Sequence, residues 1–201
     1  MTSTDPSRLA DTSVPVHALV AARWSPRALD LTATIDDGTL TALLEAARWA
    51  SSWGGSQPAR FVVGRRGDET FDGLVSTMTR GNLSWAPNAS ALVLGVTRLR
   101  DGDRTLTHSS FDLGQAMAQL ALQAVAEGLV AHPMAGFDGA AARARFAIPE
   151  DFAPLVLVAI GSLADPSSVD PELAAKEQRP RRRAPLSEVA FSGTWGAPAL
   201  A

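Results

Sequence analysis

The chain has 201 residues, a formal net charge of −3, a pI near 5.6 and 46% hydrophobic residues. At this length roughly 70% of the unfolded chain's surface can be buried in one domain, and the acidic balance gives no electrostatic case for nucleic acid or an anionic membrane. Cysteine is absent, which excludes disulfides, thiolate metal sites and cysteine nucleophiles and fits a reducing compartment.

Met1 to Ser13 is polar and lacks the apolar centre of a signal peptide. No apolar run approaches the roughly 20 residues that span a bilayer, so the chain reads as cytoplasmic. We expect a flexible segment over 1–14, a single domain over 15–190 and a tail over 191–201. A short helix is predicted over Val16–Arg23. Asp36 and Asp37 stand at an N-cap ahead of Leu40, Leu43, Leu44 and Ala47 at helical spacing. That helix should run to about Ala50, where Gly54 and Gly55 break it.

Phe61-Val62-Val63 reads as a short strand. The apolar runs Ala91–Val96 and Leu155–Ile160 read as strands covered on both faces. Between them lies the strongest predicted helix, Ser109–Gly128. Gln115, Gln119, Gln123 and Glu127 form a narrow polar stripe on it, and Phe111, Met117, Leu120, Ala121, Ala124 and Val125 cover the rest. Gly114, Ala116, Ala118 and Ala121 permit close helix approach, so this helix serves either the core or a subunit interface. A further helix is expected over Gly139–Phe146. Beyond Gly161 the chain turns rich in Pro, Ser, Glu and Arg and reads as an extended tail. Together these elements predict an α+β sandwich.

Four segments could carry chemistry. In Arg23-Trp24-Ser25-Pro26-Arg27, Pro26 pushes Ser25 towards an extended conformation. Alternate side chains of an extended segment share one side, so Arg23, Ser25 and Arg27 would present two guanidinium forks and a hydroxyl suited to a phosphate. On this segment alone, two solvated arginines closing a helix remain the plainer reading. Arg179-Pro180-Arg181-Arg182-Arg183 is the densest positive run; it is a solvated surface, a patch for an acidic partner, or the other half of an anion site through Arg181 and Arg183. The loop from Ser51 to Pro58 offers glycine backbone that can approach a flat ligand, with Ser52, Ser56 and Gln57 as hydrogen-bonding side chains. The fourth segment, Gly128–Asp138, passes Pro133 and an Ala135-Gly136 pair whose amide could face a cofactor. Each of the last two is equally an ordinary connection.

Other chemistries are missing. Gly-Ser-Gln-Pro lacks the second glycine of a nucleophile elbow. His17, His108 and His132 fall at no metal-ligand spacing, and neither a Walker loop nor a GxGxxG fingerprint occurs. With no evident acid, base or nucleophile, the protein is either not an enzyme or one whose cofactor does the chemistry.

Taken in order, these segments resemble the nitroreductase family. The resemblance rests on Arg23-x-Ser25-x-Arg27, on Leu43 to Arg48, and on Ser52 with Ser56-Gln57-Pro58. It continues through Asp112-Leu113-Gly114-Gln115-Ala116 and Gly128 to Asp138, and ends with Gly161 and the Arg182 to Val189 close. It implies an α+β homodimer with a mixed sheet, flanking helices, a long central helix at the dimer interface, and two FMN sites between subunits. It implies FMN contacts from Arg23, Trp24, Ser25 and Arg27, from Gly55, Ser56 and Gln57, from Met134, Ala135 and Gly136, and from Arg181 and Arg183. It further implies NADPH or NADH as a transient donor and a small electron-poor acceptor, such as a nitroaromatic or quinone, reduced in ping-pong fashion. Trp53, Phe137 and Trp85 are candidates to line the acceptor pocket. Departures from the family pattern fall at Gly55 (usually asparagine), Ser51 (usually proline), Ala59 (often aromatic) and Ala135 (often acidic). They leave open a specialised oxidation on the same fold or a non-catalytic flavin-binding or storage role. A basic interaction module is a third class, which would bind oligonucleotide in a salt-sensitive way without flavin.

Overall fold

The computed structural model describes residues 8–200. Its frame is a four-stranded sheet of β1 (Ala59–Arg65), β2 (Ala91–Arg98), β5 (Val130–Met134) and β6 (Phe152–Gly161), in the order β1-β2-β6-β5. Every ladder in this sheet is antiparallel, where the resemblance implied a mixed sheet. A separate two-stranded ribbon pairs β3 (Arg100–Asp101) with β4 (Arg104–Thr105).

The alternation of side chains along β2 builds two cores. Leu92, Leu94 and Val96 join one cluster, with Phe71 and Leu74 of α3 (Glu69–Ser76), Ala142 of α6 (Gly139–Arg145) and Trp85. Ala91 and Val93 join the other, with Leu40, Leu43 and Ala47 of α2 (Asp37–Arg48) and the apolar side of α5 (Ser109–Ala126). The sheet is therefore the middle of three layers. As the apolar runs predict, β2 from Ala91 to Thr97 is buried throughout, and so is β6 from Leu157 to Gly161.

Most predicted helices form with small changes at their ends. Asp36 caps α2 by accepting from the Thr39 backbone N–H at 2.8 Å. The first helix shortens to α1 (Ala18–Ala22), and α5 stops two residues before Gly128, which adopts a positive φ of 77°. Two corrections are needed. The region after Gly161 is not merely an extended tail, because α7 (Pro171–Glu177) forms there. Its start carries helix signals: Asp170 accepts from the N–H groups of Glu172 and Leu173, Pro171 opens the first turn, and Lys176 reaches Glu172 at 2.7 Å. The segment after α5 is not only a connection either, since it contributes edge strand β5. Pro133 is tolerated there because an outer strand leaves one side without ladder bonds.

α5 packs Leu113, Ala116, Met117, Leu120, Ala121 and Ala124 inward while Phe111, Gly114, Ala118 and Gln119 remain exposed. Leu120 is fully buried between the sheet and α2. Leu120→Ala should cost about 2–5 kcal/mol of unfolding free energy, read as a lower urea midpoint at an unchanged slope.

Candidate functional site: an arginine cavity beside the outer strand β5

The extended backbone predicted at Ser25-Pro26 brings the first arginine segment to an open cavity of about 280 Å³. Arg23, Trp24, Ser25 and Arg27 line it from one side, and Arg181 and Arg183 line it from the other. The two halves lie more than 150 positions apart in the chain and are joined by direct bonds: the Arg181 guanidinium donates to the carbonyls of Arg23 at 2.9 Å and of Arg8. Arg8 completes the wall. Its guanidinium lies 4.3 Å above the Trp24 ring, and nothing in the local sequence marks it. The arginine run is thus no freely solvated patch, since Arg181 is turned inward.

Burial lowers the affinity of the Arg23 guanidinium for its proton, and the nearby charge of Arg183 lowers it further. Arg181 shifts the same way, through burial first and then the charges of Arg23, Arg183 and Arg8. Among the described residues, the ion pairs are Arg48–Glu45, Arg65–Asp37, Arg98–Asp101 and Lys176–Glu172. None involves an arginine of the cavity. Arginines held together with no ion pair to a carboxylate create a positive potential that an anion with several acceptor oxygens relieves.

His132 ties this cavity to β5. Its Nδ1 lies 2.8 Å from the Pro26 carbonyl, so that nitrogen carries the proton and donates, leaving Nε2 as an acceptor. The imidazole packs against Trp85, with ring centroids 4.5 Å apart, and Arg27 lies over the other ring at 6.0 Å. Trp85 is 3% exposed. It therefore supports the site from below and cannot line an open acceptor pocket.

Beyond His132 the strand ends at Met134, and Ala135 and Gly136 follow it in the loop. Met134 points into the core at 4% exposure, so its side chain positions the loop from beneath. The Gly136 carbonyl accepts three hydrogen bonds, from the Thr79 N–H and hydroxyl at 3.0 Å each and the Asn82 amide at 2.9 Å. A Cβ at Gly136 would lie 2.6 Å from Asn82 Nδ2, so this close approach needs glycine. The loop is held by its carbonyl, while the N–H groups of Ala135 and Gly136 donate to no other group among the described residues.

Gly55, Ser56 and Gln57 do not join this assembly. Their loop docks on the first turns of α5: the Trp53 N–H donates to Asp112 at 3.0 Å, and the Ser51 hydroxyl meets Gln115 at 2.8 Å. Gly54 and Gly55 take positive φ angles of 58° and 67°, and Gln57 takes 44° although it is not glycine. Gln57 borders a larger cavity, with Ser51, Ser52, Arg60 and Asp112, between α2, α5 and β1. β1 and β5 are opposite edges of the sheet, about 14 Å apart across three strand spacings. Among the described residues no His, Asp or Glu grouping could hold a metal ion, and no helix is long and apolar enough to cross a membrane.

Known proteins resemble this chain in sequence and fold. The model of the nitroreductase family matches residues 20–74. The chain is 44% identical over 147 residues to an uncharacterized 15.4 kDa protein from the ask 5′ region of Mycolicibacterium smegmatis, covering 69% of this chain and 99% of that protein. It is 30% identical over 167 residues to a Streptomyces coelicolor protein carrying the inferred name NADH dehydrogenase/NAD(P)H nitroreductase, covering 70% and 80% respectively. A crystal structure of an oxidoreductase containing FMN superposes with a TM-score of 0.86 at 35% identity, over 93% of this chain and 96% of the other. The chain belongs to the nitroreductase family.

Burial, reinforced by the charge of Arg27, makes the His132 imidazole harder to protonate than in the unfolded chain. Its contribution to stability is complete above the ordinary value of 6.5 and is lost as pH falls through the lower folded value. Chemical denaturation at a series of pH values from 7.5 downwards should show this loss of stability, and His132→Gln should flatten it. An equal slope in both proteins would refute the assignment.

Proposed function

We propose that this chain is an FMN-dependent oxidoreductase that works as a cytoplasmic homodimer, taking electrons from NADH or NADPH and passing them to an electron-poor small molecule such as a nitroaromatic or quinone. The observation that carries this reading is the arginine cavity without carboxylate ion pairs, aligned through His132 with the free amides of Ala135 and Gly136. The residues fit the cofactor. Arg23, Ser25, Arg27, Arg181 and Arg183 would bind its phosphate, with Trp24 stacked under Arg8 as the floor. The two amides would donate towards the flavin ring where negative charge develops. FMN, when bound, would supply the hydride-transfer chemistry between a nicotinamide and the second substrate. Solvent supplies protons, which accords with the lack of an evident acid or base in the chain.

The division of the site supports the homodimer. Gly55, Ser56 and Gln57 lie at the opposite edge of the sheet from the cavity, so one chain does not bring them to the same cofactor. A second copy can. Apolar surface for such contact is available on Phe111 (68% exposed) beside Gly114 and Ala118, and on Leu186, Val189 and Trp195 near the C-terminus.

The purified protein should carry near-stoichiometric FMN, visible in its absorption spectrum and bleached by NADH or NADPH without oxygen. Arg23→Ala and Arg27→Ala should each weaken FMN binding by roughly 10- to 100-fold, as expected for lost charge-assisted bonds, with riboflavin binding little changed. Full flavin occupancy in both variants would refute the phosphate assignment. Flavin that neither nicotinamide reduces would instead favour the specialised or storage role left open by Ala135 and Gly55. Sedimentation should give twice the chain mass; a monomer with full FMN occupancy would refute the divided site.

A further inference from the structure

One carboxylate lies in the arginine cavity, and the flavin reading assigns it no role. Glu177, the last residue of α7, lines the cavity with its side chain half-buried. Both of its carboxylate oxygens accept from the backbone N–H of Arg27, at 3.1 and 3.2 Å. It therefore occupies a main-chain donor within the segment that should meet a phosphate. It forms no ion pair with a guanidinium, although Arg27 and Arg8 both stabilise its charge.

The charged groups around it are Arg8 from the N-terminal segment, Arg23 and Arg27 from the segment after α1, Lys176 from its own helix, and Arg181 and Arg183 from the chain beyond. Six cations surround one anion. A ligand phosphate placed among the same arginines would be repelled by this carboxylate and would compete with it for the Arg27 N–H. Only three residues separate Glu177 from Arg181, so the bond to Arg27 also fixes where the C-terminal arginines enter the cavity.

We propose that Glu177 is a built-in anion of the arginine cavity, holding the Arg27 amide in the ligand-free protein and lowering the affinity for phosphate-bearing ligands while it is ionised. The proposal rests on the reading of this cavity as the phosphate site. Burial raises the Glu177 carboxyl above its ordinary value. Its competition should therefore fade as pH falls through that raised value, because a neutral carboxyl neither repels phosphate nor holds the amide as strongly.

The test compares full-length wild type with Glu177→Gln, both freed of flavin, in titrations with FMN, riboflavin and inorganic phosphate between pH 5.5 and 7.5. The variant should bind FMN and inorganic phosphate roughly tenfold more tightly at pH 7.5, the effect of about one pKa unit of interaction. Riboflavin affinity should not change, and the gap between the proteins should close towards pH 5.5. The phosphate ligand titrates identically in both series, so the ratio isolates Glu177. Equal or weaker binding of both FMN and phosphate by the variant would overturn the proposal and leave Glu177 as a clamp. FMN binding no better than riboflavin in wild type would defeat the phosphate-site reading instead, and the inorganic phosphate series would then decide Glu177 alone. Should Glu177→Gln fail to fold by circular dichroism, Glu177→Ala, which also removes the charge, carries the same comparison.

Discussion

Helices cover β2 and β6 on both faces, and that double burial constrains everything else in this molecule. A strand closed in this way has no room for an unpaired polar side chain, because the cost of stripping water from it is not recovered. Thr97, one of the few buried polar groups, meets the condition by donating to the Ser109 carbonyl at 2.8 Å. Polar chemistry is consequently displaced to the rims. The arginine cavity and the free amides lie beside β5, the glycine loop lies beside β1, and the filled interior holds them apart.

Around the cavity, electrostatics works against folding. Arg8, Arg23, Arg27, Arg181 and Arg183 are drawn together by backbone carbonyls and an aromatic ring, and their mutual repulsion remains. Such an arrangement is retained only where something offsets the repulsion. Glu177 offsets part of it from within, and a phosphate would offset more from outside, at a stability gain that grows with ligand concentration. Strain of a second kind sits in the other loop, where Gln57 takes a left-handed backbone while its N–H donates to the Ser52 hydroxyl at 3.0 Å.

Elements with strong periodicity or long apolar runs were legible in the sequence, which is why α2, α5, α6, β2 and β6 appear within a few residues of their predicted limits. β5 was hidden because it is short and contains Pro133, an acceptable residue only once the strand is known to be at an edge. α3 carries a local signal, Asp68 as N-cap ahead of Phe71 and Leu74, but it is short and lacks a long apolar run. Of the site, Arg23, Ser25, Arg27, Arg181 and Arg183 were legible through motif and resemblance, and they meet in one cavity. Arg8, Glu177 and the structural role of His132 were not. Each depends on partners more than 100 positions away, a relation that no local pattern encodes.

Segments far apart in the chain close this cavity together, with Arg8 on the early side and Arg181 and Arg183 on the late side. During synthesis the sheet and its helices can begin to pack while the last arginines are still being added, since domains assemble as the chain emerges from its N-terminus. The cavity is therefore completed after the sheet and its helices have emerged. A ligand that depends on Arg181 and Arg183 meets a chain whose core elements have already emerged.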